Sequence, residues 1–231
     1  MKAYCMILAG GSGSRVGGAV PKQFQPVGGV PIVVRTLRRV LGCRAFERIV
    51  VALHPDWTDR FSEMLVLQGV AADRIRIVSG GGTRNDSMRN ALRGLRTDGA
   101  GDGDVVVVCD AVRPFVTVAL LESCVEATQA TGACVATVPA VDTMLLVEDG
   151  RVTSVPPRNR LFHGQTPCGA TVAVLEKALE GVSDSEAVTG TAQLLALGGA
   201  DVRTFPGSPD NFKITTPEDM VRAERMVAAG A

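Results

Sequence analysis

Five strand-length apolar runs, separated by longer stretches with helical spacing, constrain this chain more than any other feature of it. Tyr4 to Ala9, Ile49 to Leu53, Ile75 to Val78, Val105 to Cys109 and Cys134 to Val138 are rich in β-branched residues and read as strands buried on both faces. Between them, Ile32 to Leu41, Asp59 to Leu67, Asn85 to Leu95 and Val118 to Thr131 repeat apolar residues at the helical period, which gives the alternation of a parallel sheet. The expected fold is α/β and Rossmann-like, a mainly parallel sheet with helices on both faces. With 46% hydrophobic residues in 231, the chain has apolar surface enough to cover both faces as a single domain over residues 1–231.

Beyond Val138 the rhythm changes. Thr143 to Val147 and Arg151 to Val155 alternate around the turn residues Glu148, Asp149 and Gly150, which predicts a β-hairpin arm within residues 140–160. Two strands cannot bury their own apolar side chains, so the arm is expected to pack on a second subunit and make a homodimer. The remainder predicts helices from Thr171 to Leu179 and from Thr189 to Leu197, and a strand from Asp201 to Phe205. A last helix is capped by Thr216, with Pro217 at its first position.

Lysine plus arginine and aspartate plus glutamate both number 24, so no overall field favours nucleic acid or an anionic membrane as a partner. The six cysteines lack a CxxC pair and most sit in apolar runs, as reduced core thiols of a cytoplasmic protein would. Met1 leads into an apolar stretch too short to span a bilayer and followed by glycines, so neither secretion nor membrane insertion is expected.

A charged ligand must then be met locally, and the strand ends offer the means. The first run closes in Leu8-Ala9-Gly10-Gly11-Ser12-Gly13-Ser14-Arg15, with Lys22 following in Pro21-Lys22-Gln23. Glycines at 10, 11 and 13 let backbone N–H groups turn toward an anion, and Arg15 and Lys22 add fixed positive charge. The loop has neither the GxxxxGK[ST] of a Walker loop nor a complete GxGxxG, because Val16 stands at the third glycine. Taken alone it could equally be a glycine turn beside two solvated cations. Gly80-Gly81-Gly82-Thr83-Arg84-Asn85-Asp86-Ser87 follows the third strand and opens a helix, and Asp110 follows the valines of the fourth, ahead of Arg113. The glycine cluster could be a plain turn capped by Thr83 or Asn85, but three of the first four strands ending in such sequence at one edge points to a ligand there.

The strings LAGGSGSR with PKQF, GGGTRNDS, DAVRPF, AVDTM, GQTP and NFKITTPEDM, in this order and spread over essentially the whole chain, resemble the cytidylyltransferases that act on polyol phosphates. Two sister groups fit, one making CDP-methylerythritol for isoprenoid synthesis and one making CDP-ribitol for wall polymers. LAGG, DAVRPF and GQTP lean toward the ribitol group.

The resemblance implies CTP and Mg²⁺, with a small polyol phosphate as acceptor. Ala9, Gly10, Gly11, Gly13, Gly81 and Ser87 resemble the residues that hold the nucleotide. Arg15, Lys22 and Lys213 look like the triphosphate cations that carry catalysis. Asp110 is similar to the residue beside ribose and metal. Arg113, Thr143, Arg158, Thr166 and Thr189 match acceptor contacts, some of them reached from the neighbouring subunit. Read singly, Thr189 could cap its helix, Arg158 could be a solvated loop charge, and Lys213 could pair with a surface carboxylate. Cys168, Gly190 and Gly82 depart from the family pattern, which usually has Gln, an acid and an acid there. His54 and His163 need no catalytic role, and no nucleophile signature accompanies them. The alternatives are a sugar-1-phosphate nucleotidyltransferase using another nucleoside triphosphate, and a nucleotide-binding domain without catalysis.

Overall fold

The computed structural model describes residues 1–11, 20–182 and 188–230. In chain order its elements are β1 (Ala3–Ala9), β2 (Pro26–Val27), β3 (Val30–Pro31), α1 (Ile32–Gly42), β4 (Phe46–Leu53), α2 (Thr58–Leu67), β5 (Ile75–Ser79), α3 (Arg84–Thr97), β6 (Val105–Asp110), α4 (Val118–Thr131) and β7 (Ala133–Pro139). There follow β8 (Leu146–Glu148), β9 (Arg151–Ser154), β10 (Phe162–Thr171), α5 (Val172–Gly181), α6 (Thr191–Leu197), β11 (Arg203–Pro206) and α7 (Pro217–Ala228).

Side-chain alternation along β1 sets the layers. Ala3, Cys5, Ile7 and Ala9 enter one core with residues of α1, α2 and α4, while Tyr4 and Met6 enter the other with residues of α3, α5 and α6. A strand covered on both sides tolerates no polar alternation, which is why these runs read as continuously apolar. Seven strands form the main sheet in the order β11-β7-β10-β6-β1-β4-β5. Its neighbours pair in parallel except at β10, which runs antiparallel to both β6 and β7. The Rossmann-like α/β architecture expected from the sequence is the one observed.

Strand β10 was not legible. Its sequence, Phe162-His163-Gly164-Gln165-Thr166-Pro167-Cys168-Gly169-Ala170-Thr171, mixes Gly, Pro and polar residues, and its pairing with β7 shifts register between Gly164 and Cys168. That bulge is what lets a proline sit inside a central strand. The glycine at 169 is there for packing, since a Cβ would stand 1.9 Å from Thr128 Oγ1 of α4.

Helix starts follow their caps. Thr83 and Asp86 make a capping box for α3, and Thr216 and Asp219 make another for α7, with Pro217 at the first position as expected. Helix α6 begins at Thr191, two residues later than its apolar spacing suggests, with Gly190 at the N-cap. Strands β8 and β9 pair antiparallel apart from the main sheet, across a turn in which Asp149 (φ 48°) and Gly150 (φ 75°) both take left-handed backbone. Leu146, Val147 and Val152 of this hairpin are each 55% exposed. Among the described residues no helix is long and apolar enough to cross a membrane. All six cysteines are buried and free.

Register aligns the strand ends that matter. Leu8 pairs with Asp110, Ala9 with Leu53, and Leu53 with Ser79, so β1, β4, β5 and β6 finish along one rim. From β1 the chain moves outward to β4 and β5, then returns to β6 on the other side of β1. A crevice opens where the strand order reverses in this way.

Candidate active site

A cavity of about 550 Å³ lies on that rim, and Ala9, Gly10, Gly11, Gly81, Gly82 and Asp110 contribute to its lining. Lys22, Arg84, Ser87 and Lys213 line it as well. Where β1 runs out of strand partners, Gln23 supplies them: its Nε2 donates to the carbonyls of Ala9 (2.8 Å) and Gly11 (2.7 Å). The side chain is almost wholly buried, so the carbonyls it holds are fixed. The facing loop is fixed by Ser87, whose Oγ accepts from Gly81 N–H (3.0 Å) and donates to the Thr83 carbonyl (3.1 Å). At Gly81 a Cβ would lie 2.1 Å from Asp86 Cβ, so only glycine lets this loop rest on the first turn of α3.

Asp110 is the electrostatic centre. Lys213 Nζ is 3.2 Å from its Oδ2, Arg113 Nε is 3.5 Å from the same oxygen, and Arg84 Nη2 is 3.3 Å from its Oδ1. Its backbone N–H donates to Thr166 Oγ1 at 3.1 Å. Burial alone would raise the carboxyl, but the cations of Lys213, Arg84 and Arg113 outweigh it and hold its pKa down to about 2. One carboxylate thus faces three cations, with Lys22 also on the cavity wall. That surplus of positive charge suits a polyanion.

Of the expected site residues, Ala9, Gly10, Gly11, Lys22, Gly81, Ser87, Asp110 and Lys213 meet at the cavity. Arg113 and Thr166 lie directly behind Asp110, and the Arg113 guanidinium also donates to the Asn211 carbonyl (2.7 Å). Thr143, Arg158 and Thr189 do not line the cavity of the single chain: Thr143 is exposed, Arg158 donates to the Val141 carbonyl (2.9 Å), and Thr189 Oγ1 donates to Gln193 Oε1 (3.0 Å). Gly13 and Arg15 lie outside the described residues.

Sequence reasoning passed over Gln23, Arg84 and Asn211, and gave His54 no catalytic role. His54 lines the cavity directly after β4, with Nδ1 accepting from the Asp56 N–H (3.3 Å). Asn211 Nδ2 donates to the Thr166 carbonyl (2.7 Å), pinning the segment before Lys213 to β10. Gln23, Arg84 and Asn211 all stand inside motifs quoted above, next to residues given roles, and that adjacency was the signal available.

For a metal, Asp110 is the carboxylate on the cavity wall, and among the described residues no group of three or more His, Cys, Asp or Glu could hold an ion. This donor set fits Mg²⁺ in the form that takes most of its ligands from substrate phosphates and water, with one carboxylate from the protein.

A family model described as 2-C-methyl-D-erythritol 4-phosphate cytidylyltransferase matches residues 3–229. Among solved structures, the 2-C-methyl-D-erythritol 4-phosphate cytidylyltransferase of Thermus thermophilus is 29% identical with a TM-score of 0.75, over 99% of this chain and 100% of that one. The enzyme of that name from Francisella tularensis is 28% identical with a TM-score of 0.81, over 97% and 99%. The 4-diphosphocytidyl-2C-methyl-D-erythritol synthase of Anaerococcus prevotii is 25% identical with a TM-score of 0.82, over 98% and 96%.

Proposed function

Because this chain belongs to the 2-C-methyl-D-erythritol 4-phosphate cytidylyltransferase family and is therefore a nucleotidyltransferase, we propose that it transfers CMP from CTP to 2-C-methyl-D-erythritol 4-phosphate and releases pyrophosphate. Membership sets aside both the sugar-1-phosphate enzyme and the binding domain without catalysis. The methylerythritol acceptor is preferred to the ribitol phosphate toward which three motifs lean, because the matching family model and the solved relatives bear that name. The observation that carries the reading is the convergence of Lys213 and Arg84 on Asp110 in a glycine-edged cavity that Lys22 also lines.

In the proposed reaction an oxygen of the acceptor phosphate attacks the α-phosphorus of CTP in line. A P–O bond forms as the bond to pyrophosphate breaks, and no covalent enzyme intermediate intervenes. The attacking phosphate is already anionic near neutral pH, so the chain needs no general base and the paucity of histidines is no obstacle. Gly10 and Gly11 bring backbone N–H groups to the nucleotide, and Gly81, its own N–H held by Ser87, lets the facing loop approach closely. Lys22 and Lys213 offset charge that builds on the α-phosphate and the leaving group, and Arg15 joins them in this assignment. Asp110 would hold Mg²⁺ together with the triphosphate, and the ion supplies further neutralisation of phosphate charge when bound. Arg113 keeps the Asp110 carboxylate in place, and Thr166 holds the backbone N–H of the same residue.

The test is to give the purified protein CTP and Mg²⁺ with each acceptor in turn. A kcat/KM for methylerythritol phosphate roughly tenfold or more above that for ribitol 5-phosphate is expected. The reverse order would return the assignment to the ribitol group.

The same reading takes the working unit to be a homodimer of single-domain chains, joined through the hairpin arm at residues 140–160. The exposure of Leu146, Val147 and Val152 supports it. Thr143 and Arg158 then serve the neighbouring cavity, and Thr189 its own. If Arg158 acts across the dimer, mixing Lys22→Ala with Arg158→Ala subunits creates heterodimers with one intact site. About a quarter of wild-type activity should return on random reassortment. No recovery in subunits shown to have exchanged would place Arg158 in its own chain's site, or in none.

A further inference from the structure

Arg84 joins two parts of the molecule that the proposed reaction must bring together. It is the first residue of α3, directly after the glycine loop that borders the nucleotide cavity. Its Nη2 reaches Asp110 Oδ1 (3.3 Å), while its Nη1 donates to Thr191 Oγ1 (2.9 Å), 107 residues away in sequence. Thr191 is buried and opens α6, two residues beyond Thr189.

Helix α6 needs such an anchor. It has seven residues and Gly190 as its N-cap, without a side-chain cap. A helix that short does not hold itself and depends on tertiary contacts. Leu194 and Leu195, three and four residues on and so on the same face as Thr191, fasten that face into the core shared with α5. At the start of this face the Thr191 hydroxyl receives the guanidinium. A fork with separate donor nitrogens can serve a carboxylate and a hydroxyl at once, which an ammonium on a single carbon cannot reproduce in this geometry.

We infer that the Arg84–Thr191 hydrogen bond is a positioning device that ties the start of α6, and with it Thr189, to the nucleotide side of the site, so that Thr191 governs use of the acceptor rather than of CTP. The inference rests on the proposed reaction for its substrates but on the Arg84 contacts for its logic. Thr191 does not line the nucleotide cavity, and when its hydroxyl is deleted Arg84, which does, still has Asp110 Oδ1 as the partner of its Nη2. What it loosens is the segment carrying Thr189.

Thr191→Val keeps the shape and deletes the hydroxyl, and Thr191→Ser keeps the hydroxyl. Steady-state kinetics should be run with CTP and acceptor varied separately, with calorimetric CTP titration alongside. Thr191→Val is expected to lower kcat/KM for the acceptor by roughly 10- to 100-fold, the range of a hydrogen bond to a charged group, with CTP affinity unchanged within about twofold. Thr191→Ser should recover most of the loss. Wild-type kinetics in Thr191→Val, equal damage to both substrates, or failure of Thr191→Ser to recover would each overturn the inference while leaving the reaction standing. A wild-type protein that forms no CDP product from CTP and either acceptor would overturn the reaction, and the inference with it.

Discussion

Lys22→Ala is expected to cut kcat by roughly 10²- to 10³-fold with the fold retained, the loss seen when one preorganised stabiliser of transition-state charge is removed. Lys22 opens a short 3-10 turn just after the glycine loop, is only 9% exposed, and lines the cavity. A cation held there is already stripped of most of its water and need not reorganise as charge develops on the phosphates. Its effect should fall mainly on turnover, since charge grows on the leaving group between ground and transition state. Purified Lys22→Ala with near-normal kcat and an intact circular dichroism spectrum would remove Lys22 from the mechanism.

Asp110→Asn should damage stability and activity together. The carboxylate sits among Lys213, Arg84 and Arg113, and taking its charge away leaves those cations facing one another in a largely buried setting. Loss of one partner from a buried ionic cluster costs about 3 kcal/mol or more. The pH dependence gives a second signature. The folded pKa of about 2 lies below the ordinary aspartate value, so the carboxylate's contribution is present above about pH 4 and is lost as pH falls through 2. On that shift it amounts to about 2 kcal/mol. Urea unfolding of wild type and Asp110→Asn should therefore show a gap that is widest near neutrality and narrows toward pH 3. A gap that stays constant, or widens in acid, would mean that the cations do not depress this carboxyl. Turnover should also fall steeply, because Lys213 loses the carboxylate charge that orients it.

What the sequence made legible was whatever local chemistry decides. The continuous apolar runs of β1, β4 and β6, the capping boxes at Thr83 and Thr216, and the polar endings at Gly10, Gly80 and Asp110 all announce themselves within a few residues. Strand β10 did not, because nothing in Gly164-Gln165-Thr166-Pro167 favours extension until β6 and β7 stand on either side of it. Gln23 escaped for the same reason. An amide in a short turn reads as surface until the carbonyls of Ala9 and Gly11 are seen to close on it. Arg84 was quoted within its motif but given no task, since the hydroxyl it meets lies 107 positions downstream. Thr143 and Arg158 show the converse limit. The family resemblance carried them into the site, but a single chain does not bring them to the cavity.

The reversed direction of β10 has an architectural result. Because β10 runs opposite to β7, its first residue, Phe162, pairs with Pro139 at the end of β7, and both lie on the rim that carries Asp110. The connection between them therefore leaves and re-enters the molecule on the same side, with no need to cross the sheet. Residues can be added to or trimmed from this excursion without disturbing a buried layer. On the proposed reading of the site, acceptor preference can diversify there while the glycine loops, built into the opposite half of the rim, keep the nucleotide.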